Sequence, residues 1–279
     1  MTLKLSLSST KPLTSGAKIP SLGFGVFQSP PEVTQASVKA ALDAGYRHFD
    51  TAQYYENERE TGQAILASSV PRSEIFFTTK ILNPVNDSVE ETYASLKASV
   101  DKSGLGYVDL FLIHTPQSGP DGRKIMWTAL QKLKQDGLSK SIGVSNFGVA
   151  HLQQLEALGG EAVSVNQIEL HPYCQQPSIT KYCLDKGIVV EAYCPLTRGE
   201  RFKDPVLVKI AESSGKSVPQ VLIRWSLQRG FVPLPKSDTK SRIVSNAEVY
   251  DFELSQDDMD KIDALNEDKS IFHNPVNVD

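Results

Sequence analysis

Phe49-Asp50-Thr51-Ala52-Gln53-Tyr54-Tyr55-Glu56-Asn57-Glu58 is the stretch around which the chain is arranged. It sets a carboxylate, Asp50, at the end of a short predicted strand and two tyrosines in the loop behind it. Later predicted strands end in polar residues too: Lys80, His114, Asn146, Gln167, Tyr193 and Lys236. A carboxylate, an ammonium, a phenol and an imidazole on one rim would make a site for moving protons and charge. Whether they meet depends on how the strands are arranged.

Outward from this stretch, short strands and helices alternate. Strands are predicted at 21–25, 47–50, 75–80, 107–114, 141–144, 162–168, 188–192 and 231–234. They carry β-branched and aromatic residues, and 107–114 is apolar except for Asp109, as in a strand covered on both faces. Helices are predicted from Pro30-Pro31, from after Tyr55 to about 69, and at 88–102 and 122–136. Others run through Leu152, Leu155 and Leu158, and over 177–186, 205–213, 218–229 and 241–246. A hairpin of strands 3–9 and 14–19 precedes the series, and a final helix at 257–265 with an irregular tail follows it. Eight strand–helix beats without a composition break imply parallel strands with helices outside. At this length the pattern predicts a single α/β domain over 1–279, a closed (β/α)8 TIM barrel with an N-terminal hairpin and an extra C-terminal helix. An open dinucleotide-binding sheet would need a third glycine after Gly23-Phe24-Gly25, where Val26, Phe27 and Gln28 follow instead. A phosphate loop ending at Gly215-Lys216-Ser217 would need glycine where Ile210 stands.

Composition narrows the function classes. Of 279 residues, 40% are hydrophobic and the net charge is −4, which suits a large core and gives nucleic acid no basic face. Cys174, Cys183 and Cys194 are odd in number and form no Cys-x-x-Cys pair, which predicts reduced thiols and a cytoplasmic setting. No apolar run reaches the roughly 18 residues that span a membrane. No His-x-His or carboxylate cluster points to a metal.

In a barrel of this type, side chains at the C-terminal strand ends share one mouth. Around a tyrosine the predicted set makes chemical sense. A free phenol has a pKa of about 10, too high for acid–base work near neutrality. A nearby ammonium would lower it, and a carboxylate would orient the ammonium. Tyrosine so tuned can protonate a carbonyl oxygen as hydride reaches the carbon.

The same residues carry a resemblance. Phe-Asp-Thr-Ala-x-x-Tyr-x-Asn-Glu at 49–58, Thr-Thr-Lys at 78–80 and Leu-Ile-His at 112–114 resemble the aldo-keto reductase signature. So do Gly-Val-Ser-Asn at 143–146, Asn-Gln-Ile-Glu-Leu-His-Pro at 166–172 and Pro-Lys-Ser at 235–237. The resemblance runs in order over almost the whole chain, whose short tail is similar to that of compact members such as diketogluconate reductases. It implies Tyr55 as general acid, Asp50 and Lys80 as its tuning pair, and His114 as the group positioning the carbonyl. It implies an NADPH site in which Ser145, Asn146 and Gln167 hold the nicotinamide carboxamide and Tyr193 stacks on the ring. Lys236, Ser237 and Arg242 would grip the 2′-phosphate, with Asn246 near the adenine. Lys236, Lys240 and Arg242 form a small basic cluster on an otherwise acidic chain, in keeping with a phosphate.

Departures from the family pattern shape further expectations. Thr115 stands where relatives often carry tryptophan, so Phe27, His114 and Thr115 would line a roomier substrate pocket. Asp238, beside Ser237, would weaken selectivity for NADPH over NADH, leaving NADH use open. The short tail predicts an open mouth.

Taken singly, Tyr55 and Lys80 would be an ordinary loop tyrosine and a solvated strand-end lysine; only the joint pattern gives them roles. His171 reads as a structural histidine at a turn, and Trp127 and Trp225 as core. The leading expectation is a monomeric, NADPH-dependent reductase of aldehydes, dicarbonyls or small ketones, with no nucleic-acid or membrane partner. The rivals are a non-catalytic NADP(H)-binding barrel and a Schiff-base aldolase using Lys80 as nucleophile.

Overall fold

The computed structural model describes residues 5–272 and 274–279. The chain enters through a short antiparallel hairpin, β1 (Thr10–Pro12) and β2 (Lys18–Pro20). The alternating leucines predicted a strand at 3–9. Residues 1–4 lie outside the described part, and the rest of that stretch turns instead, with Ser9 N–H bonded to Ser6 O and Ser6 N–H to Ser9 Oγ. Serine side chains that offer local bonds compete with strand pairing, which moves the hairpin downstream.

Eight parallel strands follow in sequence order: β3 (Phe24–Gly25), β4 (His48–Asp50), β5 (Phe76–Ile81), β6 (Val108–Ile113), β7 (Ser139–Ser145), β8 (Val165–Glu169), β9 (Val189–Tyr193) and β10 (Val232–Pro233). The N–H groups of Gly23 and Gly25 donate to the Pro233 and Pro235 carbonyls at 3.0 and 3.1 Å, joining the first strand to the last and closing the barrel. The strands predicted at 21–25 and 162–168 begin later, at Phe24 and Val165, but all eight beats are present.

Ten α-helices accompany the strands among the described residues. They are α1 (Pro31–Asp43), α2 (Glu58–Leu66), α3 (Val89–Ser103), α4 (Gly119–Gln135), α5 (Val149–Leu158), α6 (Pro177–Asp185), α7 (Pro205–Ser214), α8 (Val218–Gln228), α9 (Lys240–Ala247) and α10 (Gln256–Asp263). Proline opens α1, α6 and α7 at the first helical position, where no N–H is needed. Ser88 caps α3 by accepting from Glu91 N–H.

Side chains on a strand alternate between faces, and that alternation builds the site. Phe49, Phe77, Ile81, Phe111, Ile113 and Ile168 pack outward in the core shared with the helices, which also buries Trp127 and Trp225. Phe76, Leu110, Leu112 and Val165 point the other way and form a separate apolar plug with Leu13 and Ile19 of the hairpin. Stepping two residues along from these plug positions gives Thr78 and Lys80 on β5, His114 after β6, and Gln167 on β8. The interior is therefore apolar at the hairpin end and polar at the strand C-termini.

Two glycines are set by close approach. A Cβ on Gly143 of β7 would lie 2.6 Å from Val165 O, and one on Gly62 of α2 would lie 1.8 Å from Ser103 O at the end of α3. Gly62→Ala must push α2 off α3, and overpacking of this kind costs about 1–3 kcal/mol. A urea midpoint clearly below that of the wild type is expected; an unchanged midpoint would show that the two helices can yield.

Candidate active site

Lys80 projects from β5 into the barrel mouth and has no solvent access. Its Nζ donates to Asp50 Oδ1 at 2.7 Å, to Thr51 O at 2.9 Å and to Tyr55 Oη at 3.3 Å. All three partners come from one short segment, the end of β4 and the turn after it. Burial pulls the Lys80 ammonium down, but Asp50 and Tyr55 together outweigh it and hold the pKa above its usual value.

Tyr55 sits in a single 3-10 turn, Gln53–Tyr55, that ends in a left-handed residue, Glu56, before α2 begins. Its ring packs against Phe27 (centroids 5.0 Å apart) and edge-on to His114 (5.5 Å). The expected fall in the phenol pKa is not what this environment produces. Burial of the hydroxyl raises it, and that exceeds the lowering by Lys80. Tyr55 is thus held in its protonated form beside a cation.

His114 lies opposite. Burial, reinforced by the Lys80 charge, pushes its imidazole down to about 3, so the ring is neutral near pH 7. Its backbone carbonyl accepts from Asn146 Nδ2 at 3.0 Å. Asn146, in the left-handed region (φ 64°), also donates to Ser145 Oγ (3.1 Å) and accepts from Tyr193 Oη (2.9 Å). Ser145 Oγ donates to Gln167 O at 2.8 Å, and Gln167 Nε2 reaches Asp50 Oδ2 at 2.8 Å. The predicted strand-end residues other than Lys236 are thereby joined in one network.

They surround a cavity of about 480 Å³. Asp50, Tyr55, His114, Ser145, Asn146, Gln167, Tyr193, Lys236 and Phe27 line it, with Lys80 directly beneath. Ser237, Arg242 and Asn246 are not among its lining residues. Ser237 accepts from Thr239 N–H ahead of α9, Arg242 is exposed on α9, and Asn246 is buried on the same helix. Thr115 also departs from expectation: it is buried, donates to Gln117 Oε1 at 3.1 Å, and is not part of the cavity wall. Lys236 Nζ pairs with Asp238 Oδ2 at 2.5 Å, while Asp238 Oδ1 accepts from Ser29 Oγ and Ser37 Oγ at 2.7 and 2.9 Å. The carboxylate beside the predicted phosphate grip is therefore fixed in place.

Several lining residues carried no signal in the sequence. The tail, short as it is, reaches the cavity. Phe272 lines the cavity, edge-on to Phe27 at 6.0 Å and to Tyr193 at 6.3 Å, and the exposed Arg198 guanidinium lies 4.8 Å from its ring centre. The buried Glu169 carboxylate holds this segment by accepting from Ile271 N–H (2.5 Å) and Phe272 N–H (3.0 Å), and it also binds His171 Nε2 at 2.9 Å. His171 is thus structural, as read. Cys194 lines the cavity, but burial and Glu169 push its thiol up to about 12, which keeps it protonated and unreactive.

This geometry matches known proteins. A profile of the Aldo/keto reductase family matches residues 21–267. The chain belongs to the aldo-keto reductase family. It is 46% identical over 272 residues to the glyoxal reductase of Bacillus subtilis (strain 168), covering 97% of each chain. It is 42% identical to the 9,11-endoperoxide prostaglandin H2 reductase of Trypanosoma cruzi (strain CL Brener), covering 95% of this chain and 94% of that one. Among solved structures, an aldo-keto reductase from a Medee basin deep-sea metagenome library superposes with a TM-score of 0.92 at 39% identity, over 97% of this chain and all of the other. A Bombyx mori aldo-keto reductase in complex with NADP gives a TM-score of 0.89 at 32% identity, over 98% and 100%. The aldo-keto reductase is an oxidoreductase of carbonyl groups, built on a (β/α)8 barrel. No helix among the described residues is long and apolar enough to cross a membrane.

The barrel interior sets a pH dependence for this reductase. His48, fully buried beneath the site, is pushed down to about 3 by burial and Lys80, as His114 is. Unfolded, both imidazoles titrate near their ordinary value of about 6.5. Between about 6.5 and 3 the unfolded chain takes up protons that the folded chain refuses, so stability falls as pH drops through that window. NMR of the imidazole nitrogens is expected to show both rings neutral down to about pH 5; a folded-state titration near neutrality for either would contradict the geometry.

Proposed function

We propose that this aldo-keto reductase uses NADPH to reduce aldehydes, dicarbonyls or small ketones, acting as a cytoplasmic monomer with residues 1–279 as one domain. The observation that carries this reading is the Lys80 ammonium bonded at once to Asp50 and to Tyr55 Oη. A proton donor is useful only if its conjugate base is stabilised as it forms. Tyr55 gives its proton to the carbonyl oxygen, and Lys80, already in contact, takes up the charge of the phenolate left behind. Asp50 keeps Lys80 cationic. His114, neutral and edge-on to Tyr55, holds the same carbonyl oxygen by a hydrogen bond and so orients the substrate.

A bound nicotinamide dinucleotide supplies the hydride. The residues present fit such a group: Ser145, Asn146 and Gln167 offer hydroxyl and amide groups at the cavity wall, and Tyr193 offers a ring face. Lys236 extends the cavity toward Ser237, Arg242 and Asn246, which would take the phosphate-bearing adenosine end. The NADP complex of the Bombyx mori relative supports the choice of cofactor. The likeness to the Bacillus subtilis glyoxal reductase supports small carbonyl compounds, as do the apolar walls Phe27 and Phe272.

The aldolase alternative needs Lys80 as a neutral amine nucleophile. A lysine whose pKa is held up by a carboxylate 2.7 Å away is poorly suited to that role. The non-catalytic alternative leaves the Lys80–Tyr55 contact without a purpose.

Tyr55→Phe tests the mechanism. Turnover of a small dicarbonyl, followed by NADPH absorbance, is expected to fall at least about 100-fold while NADPH binding is retained; a variant as active as wild type would sink the proposed acid. Asp238→Asn tests the cofactor grip. Removing the fixed carboxylate frees Lys236, and an exposed charge pair of this kind is worth about two- to fivefold in affinity. NADPH should bind more tightly by that factor and NADH should not change; equal effects on both would remove Asp238 from cofactor choice.

A further inference from the structure

One buried ionisable group has no part in the mechanism above. Glu191, on β9, has no solvent access. Its Oε2 accepts from Gln167 Nε2 at 2.8 Å, and the same nitrogen donates to Asp50 Oδ2 at 2.8 Å. An amide nitrogen carries two hydrogens, so both are used. The Gln167 carbonyl oxygen is the end left for the cavity that this residue lines. If the amide were reversed, its oxygen would face two carboxyl oxygens, and two buried acceptors would lose their donor. Asp50 alone would leave that choice weaker, because Lys80 already satisfies its other oxygen.

We propose that Glu191 is a positioning residue that, together with Asp50, fixes the Gln167 amide so that only its carbonyl oxygen reads the bound ligand. The ligand group met there must be an N–H donor. This rests on the nicotinamide reading and gives it a chemical reason, since a carboxamide donates where an acetyl or ester group cannot. Glu191 serves through its acceptor rather than its charge. Burial, followed by the Asp50 charge, raises its carboxyl well above the usual carboxylate range. Its Oε1 lies 3.4 Å from His48 Nε2. With the proton on Oε1, Oε2 still accepts from Gln167.

The test measures binding by calorimetry, with no turnover required. The probes are NADP+ and its 3-acetylpyridine analogue, in which an acetyl group replaces the carboxamide and can accept but not donate. Wild type should prefer NADP+ by about tenfold, the worth of one hydrogen bond in a buried site. Glu191→Gln should keep that preference, because its own carbonyl can accept from Gln167. Glu191→Met should bring the two ligands to near parity, since a freed Gln167 can turn and donate to the acetyl oxygen. Glu191→Leu gives the same readout should the methionine variant fail to fold. A purely structural role would weaken both ligands equally and leave their ratio untouched. An unchanged ratio in a folded Met or Leu variant overturns the proposal, as does a wild type that does not distinguish the ligands. A wild type that binds neither NADP+ nor NADPH overturns the nicotinamide reading itself.

Discussion

A lysine ammonium sealed from water has to be paired, and the Lys80 ammonium is paired by a segment only a few residues long. Moving a charge into a low-dielectric interior costs several kcal/mol, which is recovered only with good geometry and full hydrogen bonding. Lys80 obtains this from one carboxylate, one carbonyl and one phenol, using all three of its hydrogens. The register sets the distances: Asp50 of β4 pairs with Thr78 of β5, one same-face step before Lys80. Loss of Asp50 would therefore leave an uncompensated charge at the floor of the site. The position of Tyr55 follows from the same demand, since its hydroxyl completes the ammonium's shell.

Around that pair, the barrel divides its interior by depth. The hairpin supplies Leu13 and Ile19 to an apolar plug, and the buried charged groups Asp50 and Lys80 lie toward the mouth. Burying Asp50, Lys80, Glu169 and Glu191 near one another would be unfavourable if each were alone. Each is instead bonded to a neighbour or to backbone amides, and burial makes the Glu191 carboxyl a weaker acid. Such a network has few ways to rearrange, so the groups that meet a substrate are held before it arrives.

Most of this was legible because two periods coincide in the sequence. The alternation of strand and helix gave eight beats. Within strands, the period of two turned a list of strand-end residues into one rim, so Asp50, Lys80, His114 and Gln167 could be expected together. The same rule applied to Val-Val-Glu-Ala-Tyr at 189–193 puts Glu191 on the face of Tyr193, two residues short of the strand end that marks the rim. Phe272 and Arg198 had no comparable signal. They lie outside any strand or long helix, and the tail is held by backbone amides on Glu169, a long-range contact without a sequence period. The direction of the Tyr55 shift was also beyond the sequence, because it depends on whether burial or the Lys80 charge is larger. Thr115 stands beside a strand end, but its hydroxyl turns to Gln117 and the residue does not line the cavity.

The two ends of the cavity differ in how firmly they are built. At the Tyr55 end, Lys80, Asp50, Gln167, Ser145 and Asn146 are tied to one another by hydrogen bonds, and a substitution there propagates through shared partners. At the Lys236 end, the charges sit on an exposed segment before α9, and the tie is an ion pair screened by solvent. A buried network fixes geometry but adapts poorly. An exposed pair contributes little energy yet can be exchanged for a ligand's charge at small cost. Chemistry that needs one proton donor at one distance belongs in the first setting. The proposed discrimination between cofactors that differ by a single phosphate belongs in the second, where replacing Asp238 would alter the balance without disturbing the Lys80 site.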